Sequence, residues 1–315
     1  MSSGSSWHPA AEFSVIRRRA QLYEDIRAFF RARDVLEVDT PLLSGAMNPD
    51  PAITSFQVQT RASPMFLQTS PEFAMKRLLA AGSGSIWQMA KVFRAGEFGR
   101  KHNPEFTILE WYRVGFDEHQ LIAEVVALLE AVSGQTLPVS TLSYSEAFIK
   151  LAGFNPLQIS RSDLQKRTRA RFGLDDQNLD AMLDLWLAEV VEPAFAPDVV
   201  TVLVNWPESM AALAEVSSET GLARRFELYW QGLELANGYF ELTDPRQQQS
   251  RLEAQQALRA RSRQSVAPFD TYLQAAMTAG LPSCSGVALG VDRLLMVLSG
   301  CAEISAVMAF PADRI

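Results

Sequence analysis

W-Q-M-A-K-V-F-R-A-G-E-F-G-R-K-H-N-P-E-F-T-I-L-E-W-Y-R-V, residues 87–114, is the stretch whose reading decides the fold. Its first part alternates, with Trp87, Met89, Lys91 and Phe93 on one side of an extended chain. A second strand-like run spans Phe106 to Val114, and Gly96, Gly99, Asn103 and Pro104 mark a turn-rich insert between the two. The pattern predicts two antiparallel strands joined by a charged loop. Arg94 falls where the first strand ends, and Arg100, Lys101 and His102 fall in the loop. A guanidinium fork fixed at a strand end beside a mobile cationic loop suits a polyphosphate, because the fork matches phosphate oxygens bidentately.

Upstream, Ile16, Ala20, Tyr23, Ile26 and Phe30 recur at helical spacing, predicting an amphipathic helix from Ser14 to near Asp34. Residues 1–13 read as a flexible tail. Val35 to Asp39 alternates like a short strand that Pro41 ends. In T-S-P-E-F-A-M-K-R-L-L a helix opens at Ser70–Pro71–Glu72. Ser70 is the expected cap, Pro71 suits the first turn, and Glu72 complements the helix dipole. On its own, Glu72 reads as a capping carboxylate ahead of a binding group.

Downstream, Asp117 and Gln120 form a capping-box signal for a helix through about Val132. Residues 140–200 read as a helical insertion, with Leu179 to Val190 its clearest helix. Arg161, Lys166, Arg167, Arg169 and Arg171 make a basic cluster, either a solvated helix face or a docking patch for an acidic partner or a nucleic acid. Arg225 to Leu242 returns to strands around a Gln231–Gly232 turn and carries carboxylates at 227, 234 and 241. Asp244 to Gln264 is a Gln- and Arg-rich helix expected to be exposed. Cys284 to Gly290 reads as a strand and Val291 to Leu298 as a helix, with Arg293 in its first turn; Gly286 and Gly290 permit close backbone approach to a ligand.

The whole chain has 315 residues, a net charge of −7, two cysteines and three histidines. It is long enough for one large domain or two small ones. The acidic balance argues against a protein whose main task is gripping nucleic acid. Two cysteines give neither a disulfide framework nor a metal spacing, which suits a reducing cytoplasm. No apolar run reaches the length of a membrane span, and no signal-peptide plan opens the chain.

The 87–114 stretch resembles motif 2 of the class II aminoacyl-tRNA synthetases, and H-N-P-E-F-T followed by E-W-Y is similar to the lysyl-tRNA synthetase branch. The helix, strand and proline before it resemble motif 1, the dimer-interface element. G-V-A-L-G-V-D-R-L, residues 286–294, resembles motif 3. The resemblance implies an α+β fold, mainly antiparallel sheet flanked by helices, with residues 14–315 a single catalytic domain carrying the insertion at about 140–200. It also implies a homodimer.

The same resemblance implies a chemistry. The family joins ATP to an amino acid as an adenylate, with Mg²⁺. Arg94 is then the expected group for the α-phosphate and substrate carboxylate, and Arg293 lies over adenine and meets the γ-phosphate; these two are the catalytic pair. Arg100 reaches the outer phosphates, Phe106 stacks on adenine, and His102 and Asn103 contact the nucleotide, Asn103 at the adenine edge. Ala95, Gly96, Glu97, Leu235 and Gly290 complete the ATP set with Glu234. Glu227 and Glu234 are the expected Mg²⁺ ligands, though without the family they read as exposed strand carboxylates. For the lysine, Glu72 approaches the α-amino group beside Ser70 and Pro71, Tyr112 and Glu241 take the side-chain ammonium, since a buried carboxylate needs a cation, and Glu110 completes the pocket. Asn237 faces the substrate carboxylate. Trp111 alternates away from this face and belongs to the core.

Three departures from the synthetases stand out. Only residues 1–13 precede the motif 1 helix, which leaves no room for the anticodon-binding OB-fold of a lysyl-tRNA synthetase. Motif 2 reads F-R-A-G-E, placing Gly96 where a glutamate is usual. Ala288 stands where lysyl-tRNA synthetases have glycine, and one methyl in a tight pocket reshapes substrate choice by roughly 1–3 kcal/mol. A lysine-type catalytic domain standing alone resembles the ligases that join lysine, preferably (R)-β-lysine, to a lysine ε-amino group of elongation factor P. That implies elongation factor P as protein substrate and no tRNA or membrane partner. The alternatives are lysine adenylation with tRNA as acceptor, and a non-catalytic lysine- and ATP-binding regulator. A regulator would be expected to lose the arginines or acidic residues that Arg94, Arg293, Glu227 and Glu234 retain.

Overall fold

A computed structural model describes residues 7–176, 178–266 and 268–315. The chain divides into two compact units, Met1–Gln135 with Leu242–Ile315, and Thr136–Glu241. The predicted insertion therefore lies inside a unit that also has strands of its own. Of the N-terminal tail, residues 1–6 lie outside the described residues. Ala10 and Ala11 are not loose: their amides donate to the carbonyls of Ala309 and Met308 at 2.8 and 3.1 Å, and Ala11 is buried.

The first unit begins with helix α1 (Phe13–Arg31), whose buried stripe is Leu22, Ile26, Phe29 and Phe30. Phe30 is stacked on Trp87 at 4.9 Å and edges Trp111 at 5.4 Å. Burying one such ring stabilises the fold by about 1.5–3 kcal/mol. Strand β1 (Leu36–Glu37) leads to a small sheet of β2 (Leu43–Ser44), β3 (Gln57–Val58) and β4 (Met65–Leu67), with β4 central. Helix α2 (Glu72–Ala80) follows. Ser70 does not cap it: the N-cap is Pro71, one residue later, and no side chain makes a capping bond.

The 87–114 stretch forms strands β5 (Ile86–Phe93) and β6 (Glu105–Val114), antiparallel and in register from Ile86 opposite Tyr112 to Phe93 opposite Glu105. β1 pairs parallel to β5. Helix α3 (Glu118–Ser133) starts with the anticipated capping box of Asp117 and Gln120. Trp111 is fully buried and its indole N–H donates to Glu124 at 3.1 Å, as a core position requires.

In the second unit, strand β7 (Val139–Ser143) and helices α4 (Tyr144–Leu151), α5 (Arg161–Phe172) and α6 (Leu179–Trp186) precede β8 (Val200–Pro207), β9 (Leu222–Trp230) and β10 (Leu233–Phe240). α6 passes into a π-helical turn at Leu187–Val191. β7 and β8 are parallel; β8, β9 and β10 run antiparallel in sequence order. The β9–β10 turn holds both Gln231 (φ 51°) and Gly232 (φ 72°) in the left-handed region, the geometry of a tight two-residue hairpin. Tyr144, Phe148, Trp186 and Trp206 centre the unit's core. The basic residues of α5 are largely matched locally: Lys166 pairs with Asp163, Arg169 with Asp175, and Arg167 lies over Phe154.

The chain then returns to the first unit with α7 (Pro245–Arg261), α8 (Thr271–Gly280), β11 (Cys284–Gly290) and α9 (Val291–Ser299). α7 is less exposed than its composition implies, because Gln248, Leu252 and Arg259 are buried. Arg259 donates to the carbonyls of Asp50, Ile53 and Ser265. β11 pairs antiparallel with β6. No helix among the described residues is long and apolar enough to cross a membrane.

Candidate active site

In the first unit, alternation along β6 puts Phe106, Ile108, Glu110 and Tyr112 on one face. The β11 register sets Gly290, Ala288 and Gly286 opposite Ile108, Glu110 and Tyr112, so these share that face. Gln88 of β5 also lies opposite Glu110. Glu110 and Tyr112 are nearly inaccessible to solvent, and the Tyr112 hydroxyl donates to Glu110 Oε1 at 2.7 Å. The face thus carries a buried carboxylate held by a phenol, with Ala288 adding its methyl beside it. Gln88 is buried and accepts from Thr40 Oγ1 at 2.9 Å; no sequence signal marks it, since its place beside Glu110 depends on the cross-strand register.

At the mouth of the hairpin, the Arg94 guanidinium lies 5.0 Å from the Phe106 ring centroid, donates from Nε to Thr69 O at 3.3 Å, and stands 3.6 Å from Glu97. Gly96 has φ 88°, a conformation that a glutamate side chain would strain, which gives a reason for glycine at this position. The carboxylate follows one residue later and turns back on Arg94. The Ala95 amide donates to Thr54 O at 2.7 Å, tying this turn to the loop before β3.

Arg293 of α9 sits on the hairpin loop: Nη2 is 2.7 Å from His102 Nε2, and Nε donates to Lys101 O at 3.4 Å. Arg100 faces Glu303 at 3.4 Å on the surface. A Cβ on Gly290 would meet the Arg293 side chain at 3.7–3.8 Å, an ordinary contact within the protein. Asn103 differs from expectation. It is buried, its Nδ2 donates to Glu105 O at 2.6 Å, and its Oδ1 accepts from Ala312 N at 3.0 Å. Its side chain braces the loop and the C-terminal segment instead of presenting an adenine-facing edge.

Asp292, beside Arg293, was not singled out by the sequence. It is buried and accepts from Arg19 Nη2 at 2.5 Å and from the Thr107 amide at 2.6 Å. It ties α1 and β6 to the helix carrying Arg293. Ser70 and Pro71 line a cleft with Ser44, Asn48, Thr69 and Arg77. At its side Glu72 accepts from Lys76 Nζ at 2.7 Å, and that lysine is fully buried.

In the second unit, the spacing of 234 and 241 would place two strand residues on opposite faces. A bulge between Glu234 and Ala236 restores the phase. Glu234, Asn237 and Glu241 therefore fall on one face, with Tyr229 and Glu227 opposite Glu234 and Asn237 across the β9–β10 pair. Leu235 is the extra residue and its side chain is buried, leaving its backbone for any ligand contact. Glu241 is buried and its backbone bridges to Ala214.

Glu227 is buried and its carboxylate is already committed. Oε1 accepts from Arg225 Nη2 at 2.5 Å and Asn237 Nδ2 at 3.1 Å, and Oε2 accepts from the Tyr229 hydroxyl. Burial pushes its pKa up to about 7, with Arg225 pulling it down and Glu234 adding to the rise. A carboxylate that already accepts from three protein donors, one of them a guanidinium, fits poorly as a Mg²⁺ ligand.

Comparison with known proteins agrees with this architecture. The family model "tRNA synthetases class II (D, K and N)" matches residues 10–314. An elongation factor P–(R)-β-lysine ligase of Vibrio vulnificus (strain YJ016) is 44% identical over 98% of both chains. The ligase of the same name from Vibrio cholerae is 43% identical over 99% of both. That from Erwinia tasmaniensis is 42% identical over the full length of both. The chain belongs to the class II tRNA synthetase family of the D, K and N type.

Proposed function

We propose that this chain is an ATP-dependent, AMP-forming ligase that activates lysine, preferably (R)-β-lysine, and joins it to a lysine of elongation factor P. The observation that carries the reading is similarity along the whole chain to ligases of that name. The buried Glu110–Tyr112 pair, joined by a 2.7 Å hydrogen bond, supplies polar acceptor and donor groups on the sheet face assigned to the substrate.

In the first step a carboxylate oxygen of lysine attacks the α-phosphorus of ATP, an acyl–phosphate bond forms, and pyrophosphate leaves. The α-phosphate and carboxylate are assigned to Arg94, whose contacts with Thr69 O and the Phe106 ring support a fixed guanidinium. Arg293 and Arg100 offset charge on the outer phosphates. Glu72 is assigned to the substrate amino group, and Tyr112 and Glu241 to its side-chain ammonium, with Glu110 completing the pocket. In the second step the ε-amine of the acceptor lysine attacks the acyl carbon, an amide forms, AMP leaves and the amine gives up a proton. Positioning and electrostatics supply most of the acceleration. Mg²⁺ would accompany ATP and neutralise phosphate charge. The reading extends to a cytoplasmic homodimer paired through the motif 1 region, α1 and β1. Pyrophosphate exchange with a panel of amino acids tests the first step: exchange is expected with lysine isomers and not with leucine or glutamine. Exchange that is independent of the amino acid refutes it.

A further inference from the structure

We propose that Glu227 is a positioning residue that fixes the substrate-facing amide of Asn237, and is not a metal ligand. The inference rests on the lysine-ligase reading. Glu227 and Asn237 are directly opposite in the β9–β10 register, and Asn237 Nδ2 donates to Glu227 Oε1 at 3.1 Å. Glu227 is itself held from two sides. Arg225 donates to Oε1 from Nη2 and to Met210 O from Nη1 at 2.7 Å, with its guanidinium 4.0 Å from the Trp206 ring; Tyr229 donates to Oε2.

This arrangement decides which way the Asn237 amide points. A carboxylate accepts hydrogen bonds, so it selects Nδ2 and turns Oδ1 away. Asn237 Oδ1 is buried and has no hydrogen-bond partner among the described residues. A buried acceptor left open is costly unless a ligand supplies the donor. The bulge places Asn237 on the face shared with Glu234 and Glu241. The open atom is thus an acceptor, which suits an ammonium of the substrate. The expected contact with the substrate carboxylate falls to the second N–H of Nδ2, since Glu227 takes only one.

The test is calorimetric binding of L-lysine and (R)-β-lysine to the full chain without ATP or Mg²⁺. It compares wild type, Glu227→Gln, Asn237→Ala and the double variant, alongside Mg²⁺ titration of pyrophosphate exchange. Each single variant is expected to weaken lysine binding about tenfold, the double variant no more than Asn237→Ala, and half-saturating Mg²⁺ to stay within about twofold of wild type. Additive losses overturn the proposal, as does a raised Mg²⁺ requirement with unchanged lysine binding. Unchanged binding in Asn237→Ala also overturns it while leaving the ligase reading in place. Failure of wild type to bind either lysine overturns both. Should Glu227→Gln not fold, Tyr229→Phe removes one donor to the same carboxylate. It is expected to weaken lysine binding severalfold, and unchanged binding in that variant refutes the proposal.

Discussion

Asp292→Asn tests whether the helix carrying Arg293 is anchored as described. Asp292 is 2% exposed and Arg19 19%, and the two are 2.5 Å apart. The Arg19 guanidinium is held above its ordinary pKa by Asp292 and Tyr23, against the opposing effect of burial. Asparagine keeps the shape and removes the charge, and its Nδ2 must then face either Arg19 or the Thr107 amide, donor against donor. Breaking one partner of a buried ion pair costs about 3–5 kcal/mol. Arg19 keeps some solvent and a bond to Val307 O at 2.8 Å, so the lower end applies. For a unit of this size about 3 kcal/mol lowers Tm by roughly 6–12 °C. The assay is thermal unfolding, with Glu37→Gln as control. That residue pairs with Arg27 on the surface, both side chains being over 40% exposed, and such pairs contribute about 0–1 kcal/mol. An Asp292→Asn shift no larger than the control's would refute the anchoring role.

Further consequences follow for the site and the scaffold. Glu241→Gln should abolish lysine activation with the fold intact, a loss of about thirtyfold or more for a buried charge contact worth about 2–5 kcal/mol; near-normal lysine-dependent pyrophosphate exchange contradicts it. Arg293→Ala should remove adenylate formation, and retained ATP turnover contradicts its role. Ser143 and Glu146 form a capping box on α4, and hydrogen bonds from Ser143 hold the Glu146 carboxyl below its ordinary pKa. A depressed carboxylate stabilises the fold at neutral pH, and that contribution fades as pH falls below its ordinary value of 4.5 toward the depressed one. Ser143→Ala should therefore cost about 1 kcal/mol at pH 7 and less in acid, read by denaturant midpoints at both pH values.

The sequence carried those features that are local. Alternation located the β5–β6 hairpin, identified Trp111 as core, and put Glu110 and Tyr112 on one face. Side-chain capping signals located α3 through Asp117 and Gln120. What escaped depends on contacts distant in sequence. Asp292 gains its meaning from Arg19, far away along the chain, and Gln88 from Thr40. The bulge at Glu234–Ala236 has no composition signature, yet it sets which carboxylates share a face. Glu227 reads as an acidic strand residue until Arg225, Tyr229 and Asn237 are seen around it. Ser70 failed as a cap because the helix begins one residue later than the cap pattern implied.

The most direct test of the central claim is intact-mass analysis of purified elongation factor P incubated with this protein, ATP, Mg²⁺ and (R)-β-lysine or L-lysine, with tRNA as a parallel acceptor. The account predicts one lysyl-sized increment on the factor, larger in yield with (R)-β-lysine and absent without ATP. Lysine esterified to tRNA with the factor unmodified, or no product on either acceptor, would contradict it.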